Sequence, residues 1–385
     1  MDFNLSSEQE MLRDGLGRFL DARYGLETSR AAAKTGPGWQ PEVWRRFADE
    51  LGILGALLPE SAGGSGGGPV EVMVIAEELG RALVIEPFID TVVVAGGLLA
   101  RADGESASAV LERIADGSAV VALAAGEGTE DWEAPSTTAI RDGGGWVLTG
   151  SKAVVMSAPI ATHLLITAAI GDMIALFATE FDASAPPPGL QVHSYRTIDD
   201  RRAADIVLDG VRLPGQALIA ADGRESLARA RDEGAAAVCA EAVGGMRKVL
   251  ADTVDYCKQR QQFGTPIGSF QVLQHRMVDM YMELEQAVSA VYLAVLNLES
   301  DPISRSRAVS AAKVTVGRAA RFIGQQAVQL HGGMGMTEEL AIGHYFKRLT
   351  ALQYEFGSTD SHRTRYARLT RDRSMGRNTT AGAER

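Results

Sequence analysis

The chain has few cysteines, few basic residues and no long apolar run. Its 385 residues include two cysteines, Cys239 and Cys257, and neither lies in a CxxC pair, which argues against a disulfide scaffold. No apolar run approaches the ~18 residues that a membrane span needs. The net charge of −11, with 38 Lys and Arg against 49 Asp and Glu, argues against nucleic-acid binding, because that function needs a basic face.

The first residues, "MDFNLSSEQEMLRDG", are acidic and amphipathic, and they lack the basic-then-apolar layout of a signal peptide. Together with the isolated cysteines, this predicts a soluble protein of a reducing compartment, the cytoplasm. The six histidines show no ligand spacing, so no metal site is predicted. The chain does have the length for more than one domain, and its 46% of apolar residues can form a large core.

The hydrophobic periodicity changes twice and predicts three domains, at 1–117, 118–222 and 223–385. The first is helical and opens with a serine cap in "SEQEMLRDGLGRFLDARY". The second has short β-prone runs between Gly, Asp and Pro turns, which is typical of a small β-barrel or sandwich. The third has apolar residues at intervals of three and four, which predicts a bundle of four long helices. Those helices are predicted at 224–260, 270–299, 302–332 and 337–372.

Two stretches of the third domain are more specific than these patterns. They are "RQQFGTPIGSFQ", which begins at Arg260, and "QAVQLHGGMG", which begins at Gln326. With the helical–β–helical order, they resemble the acyl-CoA dehydrogenase family of flavoproteins over essentially the whole chain. The resemblance implies an α+β multi-domain fold, with an N-terminal helical domain, a middle β-barrel and a C-terminal four-helix bundle.

The resemblance also implies FAD as the cofactor, its ADP half bound mainly by a neighbouring subunit. Arg260 offers a fixed fork of donors that suits a pyrophosphate, and the glycine turn after Gln329 exposes backbone N–H groups to an anion. The alternative is that this turn merely joins two helices. Carried over position by position, the resemblance assigns these residues to FAD: Arg260, Gln262, Phe263, Gln329, Gly332, Gly333, Ser358 and Asp360.

Two stretches that line the flavin in relatives are altered in this chain. Relatives carry T-E-P-x-x-G-S-D where this chain has "AAGEGTEDWEAPS", so Gly126 stands where a hydroxyl would reach the flavin. They carry G-x-K-x-W-I-T where this chain has "GSKAVVM", with Val154 for Trp and Met156 for Thr. Gly150 and Lys152 remain, and we expect them to serve a hairpin turn.

The family's reaction needs a carboxylate base, which removes the alpha proton of a thioester while a hydride passes from the beta carbon to flavin N5. Counted without gaps from Gly332, the base of most relatives falls on Phe356, and Glu355 comes one residue early. One residue on a helix is a rotation of about 100°. We therefore predict that Glu355 is structural.

A second group of relatives takes the base from the first helix of the bundle, where this chain has Gly234 and where Glu233 is again one residue off. Glu241 lies nearly two turns further along the same face, isolated among Ala, Val, Cys and Gly. An isolated buried carboxylate is costly without a partner or a function. We predict Glu241 as the catalytic base. The alternatives are an exposed position or a structural ion pair with an arginine such as Arg276 or Arg318.

The leading hypothesis is an FAD-dependent acyl-CoA dehydrogenase subunit that oxidises a bulky or dicarboxylic acyl-CoA to the trans-2-enoyl-CoA. Within the family, the chain resembles the small subunits of pimeloyl-CoA dehydrogenases, and it is also similar to actinobacterial steroid side-chain dehydrogenases of two unlike chains. The resemblance implies as partners an electron-transfer flavoprotein and a second homologous chain, or another copy of this one, in a dimer or tetramer. The alternative is a catalytically silent subunit that completes the FAD site of a heteromer. A third possibility is a flavin-free acyl-CoA-binding protein or hydratase on the same fold.

Overall fold

The computed structural model describes residues 4–102, 104–128, 132 and 134–380, with side chains as far as residue 371. Residues 1–3 of the acidic, amphipathic N-terminal stretch lie outside the described residues. So do Thr129, Glu130, Asp131 and Glu133 of the altered flavin stretch, and the last five residues of the predicted third domain. Within the described part of the chain, no helix is both long enough and apolar enough to cross a membrane.

The chain divides into two compact units, and the predicted boundaries after 117 and 222 stay predictions. One unit comprises Met1–Ile75 and Val84–Gly234, so the early helices belong with the sheet. The other unit comprises Ala76–Leu83 and Ala235–Arg385.

The first unit begins with short helices around an apolar core that includes Leu16, Trp44 and Phe47. Ser6 caps the first helix, because its Oγ accepts from the backbone N–H of Gln9 while the Gln9 side chain accepts from the N–H of Ser6. A π-helical turn, Ile89–Ala95, leads into α5. The helices are α1 Ser7–Arg23, α2 Leu26–Lys34, α3 Pro41–Asp49, α4 Pro69–Arg81, α5 Gly96–Ala100 and α6 Glu105–Ala115. The end of α4, from Ala76 onwards, belongs to the second unit.

Eight strands of the first unit form one mixed sheet, in the order β6-β7-β3-β2-β4-β5-β8, with β1 pairing in parallel with β4. The strands are β1 Val121–Ala124, β2 Thr138–Asp142, β3 Gly145–Met156, β4 His163–Ile170, β5 Met173–Glu180, β6 Leu190–Arg196, β7 Arg202–Pro214 and β8 Leu218–Ala220. Gly150 and Lys152 lie inside β3, so the prediction that they serve a hairpin turn was wrong. A Cβ on Gly150 would come within 2.5 Å of the Thr137 side chain, and the glycine therefore allows close packing.

Five long or medium helices follow the sheet in the described part of the chain, and three of the four predicted ones are found within a few residues of their predicted ends. The helices are α7 Arg224–Gln259, α8 Gln271–Leu296, α9 Pro302–His331, α10 Ala341–Ala351 and α11 Thr359–Thr380. The fourth predicted helix, 337–372, was wrong as a single helix. It is broken between α10 and α11, where Phe356 and Gly357 have φ values of +57° and +109°. A left-handed residue cannot continue a right-handed helix, so the chain turns there.

The small residues of α7 allow it to pack tightly against the end of α4. A Cβ on Gly244 would lie 1.8 Å from the Glu77 carbonyl oxygen, and one on Gly80 would lie 2.0 Å from that of Glu241. Only glycine permits backbones to approach this closely. The alanine- and glycine-rich stretch is thus explained by helix packing.

Candidate active site and cofactor-binding residues

The predicted base, Glu241, is buried on α7 and bonded to an arginine. Its two carboxylate oxygens accept hydrogen bonds from Nε and Nη2 of Arg348, each at 2.7 Å. The Glu241 side chain is 3% exposed and that of Arg348 5%. This is a two-bond guanidinium–carboxylate pair, the strongest geometry for such an interaction.

Arg348 also holds the second candidate carboxylate, Glu355. Its Nη1 donates to Glu355 Oε1 at 2.5 Å, and its Nη2 donates to Oε2 at 3.2 Å. One guanidinium on α10 therefore lies between a carboxylate from α7 and a carboxylate from the turn that follows α10. We call these three side chains the arginine-centred cluster.

Other basic side chains hold the backbone of the turn at 352–358. Lys313, on α9, donates from Nζ to the carbonyl oxygens of Leu352 at 2.8 Å and Glu355 at 2.7 Å. His362, on α11, places Nε2 3.0 Å from the carbonyl oxygen of Phe356. Because this segment is a turn, the helical rotation used to predict a structural Glu355 does not apply to it. The described contacts of Glu355 are nevertheless structural ones.

The third candidate, Glu233, is bonded to arginines as well. Both Nη atoms of Arg101 donate to its carboxylate, at 3.0 and 2.9 Å, and Arg229 donates from Nε at 2.8 Å. Every carboxylate at or beside a predicted base position thus has an arginine partner. In each of these carboxylates at least one oxygen accepts a hydrogen bond from a guanidinium.

These contacts favour the ion-pair alternative for Glu241, while its assignment as the base stays a prediction. The partners named in that alternative were wrong, because Arg276 bonds to Gln326 and Arg318 pairs with Glu283. Sequence reasoning missed Arg348. The available signal was its position in the last turn of an amphipathic helix, seven residues before Glu355.

The first group of predicted FAD residues lies at the exposed end of α7. Two short strands, Gln261–Gln262 and Thr265–Pro266, form a hairpin with Phe263 and Gly264 at its tip. Both tip residues have positive φ, 55° and 78°, and this conformation is costly for Phe263. Phe263 is 93% exposed, and its ring makes an edge contact with the ring of Phe270, with centroids 6.2 Å apart.

The second group lies at the end of α9. Gln329 is exposed, and Gly332 begins a short 3₁₀ turn with a φ of +60°. A Cβ on Gly332 or Gly333 would meet nothing within 4 Å, so the backbone there is open to a ligand. The turn also joins α9 to α10, as the alternative interpretation held, and the two roles are compatible.

A ring contact brings the two groups together. Tyr256, one turn before Arg260, stacks on His331, the residue before Gly332, with ring centroids 4.3 Å apart. The exposed guanidinium of Arg260 makes no ion pair with any residue that the structure describes. The unobstructed backbone at Gly332 and Gly333, a guanidinium and an exposed phenyl ring fit the pyrophosphate and flat ring of an ADP group.

The other two predicted FAD residues make local contacts at the start of α11. Ser358 Oγ accepts from the backbone N–H of Ser361 at 3.2 Å, and Asp360 pairs with Arg363 at 3.2 Å. These contacts explain both residues as helix-start residues. Both of these contacts are with residues of α11, not with the hairpin or the glycine turn.

The altered flavin stretch is fixed to the sheet by a buried ion pair. Lys152 donates from Nζ to Glu127 Oε1 at 2.6 Å and to Thr167 Oγ1 at 3.0 Å. Burial alone raises the pKa of Glu127, but hydrogen bonds from Lys152 and Ser136 outweigh it and lower the pKa to about 2. Val154, at the Trp position of relatives, is exposed at a bulge with a φ of +53°. Lys152 of the motif thus has a structural role, whereas the Trp of relatives is replaced by Val154.

Comparison with known proteins decides the family. The acyl-CoA dehydrogenase N-terminal domain matches residues 6–118, and the C-terminal domain of the same family matches residues 221–370. The acyl-CoA dehydrogenase IpdE2 of Mycolicibacterium smegmatis is 31% identical over 345 residues, which cover 89% of this chain and 93% of that protein. This chain belongs to the acyl-CoA dehydrogenase family.

Solved structures of acyl-CoA dehydrogenases agree with this assignment. A variant of the Tcur3481-Tcur3483 steroid ACAD is 30% identical, with a TM-score of 0.87 over 96% of this chain and 99% of that one. The ChsE4-ChsE5 complex from Mycobacterium tuberculosis is 24% identical, with the same TM-score over 96% of this chain and 98% of that one, which shows the fold. The predicted family, its oxidoreductase class and the helical–β–helical fold are confirmed.

Proposed function

We propose that this chain is a subunit of an FAD-dependent acyl-CoA dehydrogenase that completes the FAD site and leaves proton abstraction to a second, homologous chain. One observation carries the proposal. Each of the carboxylates at or beside a base position, Glu233, Glu241 and Glu355, is bonded to an arginine. A general base needs a free lone pair within reach of the proton that it removes.

The complex would oxidise an acyl-CoA to the trans-2-enoyl-CoA. FAD, the cofactor of this family, accepts the hydride when it is bound. This chain's part is to hold the ADP group with Arg260, Gln262, Phe263, Gln329, Gly332 and Gly333, since these residues are exposed and make no ion pair with the residues that the structure describes. Ser358 and Asp360 belong to the same proposed set, although their described contacts are local.

The proposed partner is a homologous chain of different sequence. The related steroid enzyme carries two chain names, Tcur3481 and Tcur3483, which supports a heteromer with a bulky acyl-CoA as substrate. An electron-transfer flavoprotein would reoxidise the flavin. The two buried free thiols, Cys239 and Cys257, suit the reducing cytoplasm.

A second candidate function is that this chain performs the whole reaction with Glu241 as the base. In its favour, Glu241 lies buried on the small-residue face of α7, where nearby side chains take up little space. This requires the bonds to Arg348 to open when the acyl-CoA binds.

Flavin content separates the proposals. The chain would be purified alone and together with the homologous chain of a neighbouring gene, and FAD would be counted per chain by absorbance. The proposed function predicts a colourless chain alone and a yellow complex with fewer FAD molecules than chains. A yellow chain that is reduced by an acyl-CoA on its own contradicts it and supports the second candidate.

A further inference from the structure

The arginine-centred cluster is asymmetric, and its asymmetry separates the two carboxylates. Glu241 is bound through Nε and Nη2 of Arg348 with both bonds at 2.7 Å, whereas Glu355 is bound through Nη1 and Nη2 at 2.5 and 3.2 Å. The Glu241 side chain is 3% exposed and the Glu355 side chain 16%. Glu241 is therefore the deeper anchor, and Glu355 is the carboxylate nearer to the protein surface.

The turn that carries Glu355 has supports that do not depend on Arg348. Lys313 donates to two carbonyl oxygens of the turn, those of Leu352 and Glu355, and His362 lies within hydrogen-bonding distance of the carbonyl oxygen of Phe356. A Cβ on Gly317 would lie 2.5 Å from the Thr359 side chain, so α9 also packs closely on the end of the turn. Loss of the guanidinium should therefore leave the backbone of the turn in place.

Arg348 is shared between two carboxylates, so it does not neutralise Glu355 alone. One guanidinium contacts two carboxylates, and Lys313 donates to the carbonyl oxygens of Leu352 and Glu355. If Glu241 and Arg348 are replaced together, no uncompensated charge remains between them. Glu355 is then the one charged group of the cluster, and its bonds to the arginine are gone.

We propose that Arg348 is a masking residue, which keeps Glu355 from acting as a proton acceptor by anchoring it to Glu241. Glu355 lies beside the base position counted from Gly332. In this proposal its bonds to Arg348, and not its position in the chain, prevent it from accepting a proton. This inference rests on the proposed function, in which this chain supplies no base. Arg348 acts through Glu355, so it is a positioning residue.

The test is alpha-proton exchange, which needs a base but no hydride transfer. The full chain, purified without its partner, would be incubated with butyryl-CoA in D₂O, and deuterium at the alpha carbon would be measured by mass spectrometry. In this step the carboxylate takes the alpha proton, exchanges it with solvent and returns a deuteron, so no oxidant is consumed. Parent protein should show only the background rate.

The unmasked variant is Glu241→Leu with Arg348→Met, which replaces the buried pair by apolar side chains of similar length. We expect exchange to rise by at least about 10²-fold over the parent, the scale of a positioned general base. Adding Glu355→Gln should return the rate to background. A merely structural role of Arg348 predicts no gain.

A matched variant guards against misfolding. Glu241→Gln with Arg348→Gln keeps a polar pair in the same place and should show the same Glu355-dependent gain. The proposal is overturned if a double variant that folds shows only background exchange. It is also overturned if neither double variant folds, or if the parent does not bind butyryl-CoA. FAD counts in the complex judge the proposed function separately, so the two failures are distinguishable.

Discussion

The hairpin with its glycine turn and the arginine-centred cluster lie in the same unit and treat their polar groups in opposite ways. At the hairpin, Phe263 is 93% exposed and Arg260 has no described ion pair. In the cluster, the side chains of Glu241 and Arg348 are 3% and 5% exposed, and each charge faces another. The first region exposes its side chains to solvent, whereas the second pairs its charged groups with one another. We infer that the cofactor role persists where the base role does not.

The largest effect on stability is expected when Arg348, the central residue of the arginine-centred cluster, is replaced. Arg348→Ala leaves Glu241 buried without its partner, which should lower the free energy of unfolding by roughly 3–5 kcal/mol. Urea unfolding followed by circular dichroism measures it. Arg363→Ala, which removes an exposed arginine from α11, is the control and should cost less than about 1 kcal/mol. Equal effects of the two substitutions would contradict the internal role of the cluster.

Replacement of Arg260, at the hairpin, should change ligand binding rather than the stability of the fold. Arg260→Ala in the complex should weaken FAD binding by about 10- to 100-fold, since a hydrogen bond to a charged group contributes about 1.5–3 kcal/mol. Titration of the stripped complex with FAD gives the dissociation constant. Lys258→Ala removes an equal charge two residues away from an exposed pair with Asp255 and should leave the constant unchanged. An unchanged constant in Arg260→Ala would remove the basis for the cofactor role.

Acid should weaken the buried ion pair of the sheet. Because the pKa of Glu127 is lowered from 4.5 to about 2, its stabilising contribution is complete above pH 4.5 and is lost as pH falls towards 2. Glu127→Gln should therefore be less stable than the parent at neutral pH, and the difference in the free energy of unfolding should become smaller in acid. Urea unfolding between neutral pH and about pH 3 tests this. Asp142→Asn, in an exposed pair with Arg212, is the control, and a gap that stays constant contradicts the assignment.

The smallest effect is expected for Glu355. Glu355→Gln leaves the two-bond pair between Arg348 and Glu241 intact, and an amide oxygen can still accept from the guanidinium. We expect a change in unfolding free energy of about 1 kcal/mol or less and an unchanged rate of flavin reduction in the complex. A hundredfold slower reduction would show that Glu355 is already a base in the parent.

The sequence predicted the features that depend on periodicity or on a motif. Helix α7 to helix α9 follow from apolar spacing, and the hairpin at Phe263 with the turn at Gly332 follows from residues that suit a ligand. The break after α10 was not predicted, because a phenylalanine gives no sequence signal for the left-handed conformation that Phe356 adopts. The partner of Glu241 was not foreseen either. Arg348 is 107 residues away in the chain, and such a distant pairing is fixed only by the packing of α7 against α10.

Flavin reduction by the complex with Glu241→Gln tests the central claim most directly. The amide keeps the shape of the side chain but removes the proton acceptor, so a base role and a structural role give opposite results. Rapid mixing with an acyl-CoA that reduces the parent complex should give a reduction rate within about twofold of the parent, together with a lower melting temperature from the weakened pair with Arg348. A rate at least about 10²-fold lower at unchanged melting temperature would contradict the account and make Glu241 the base.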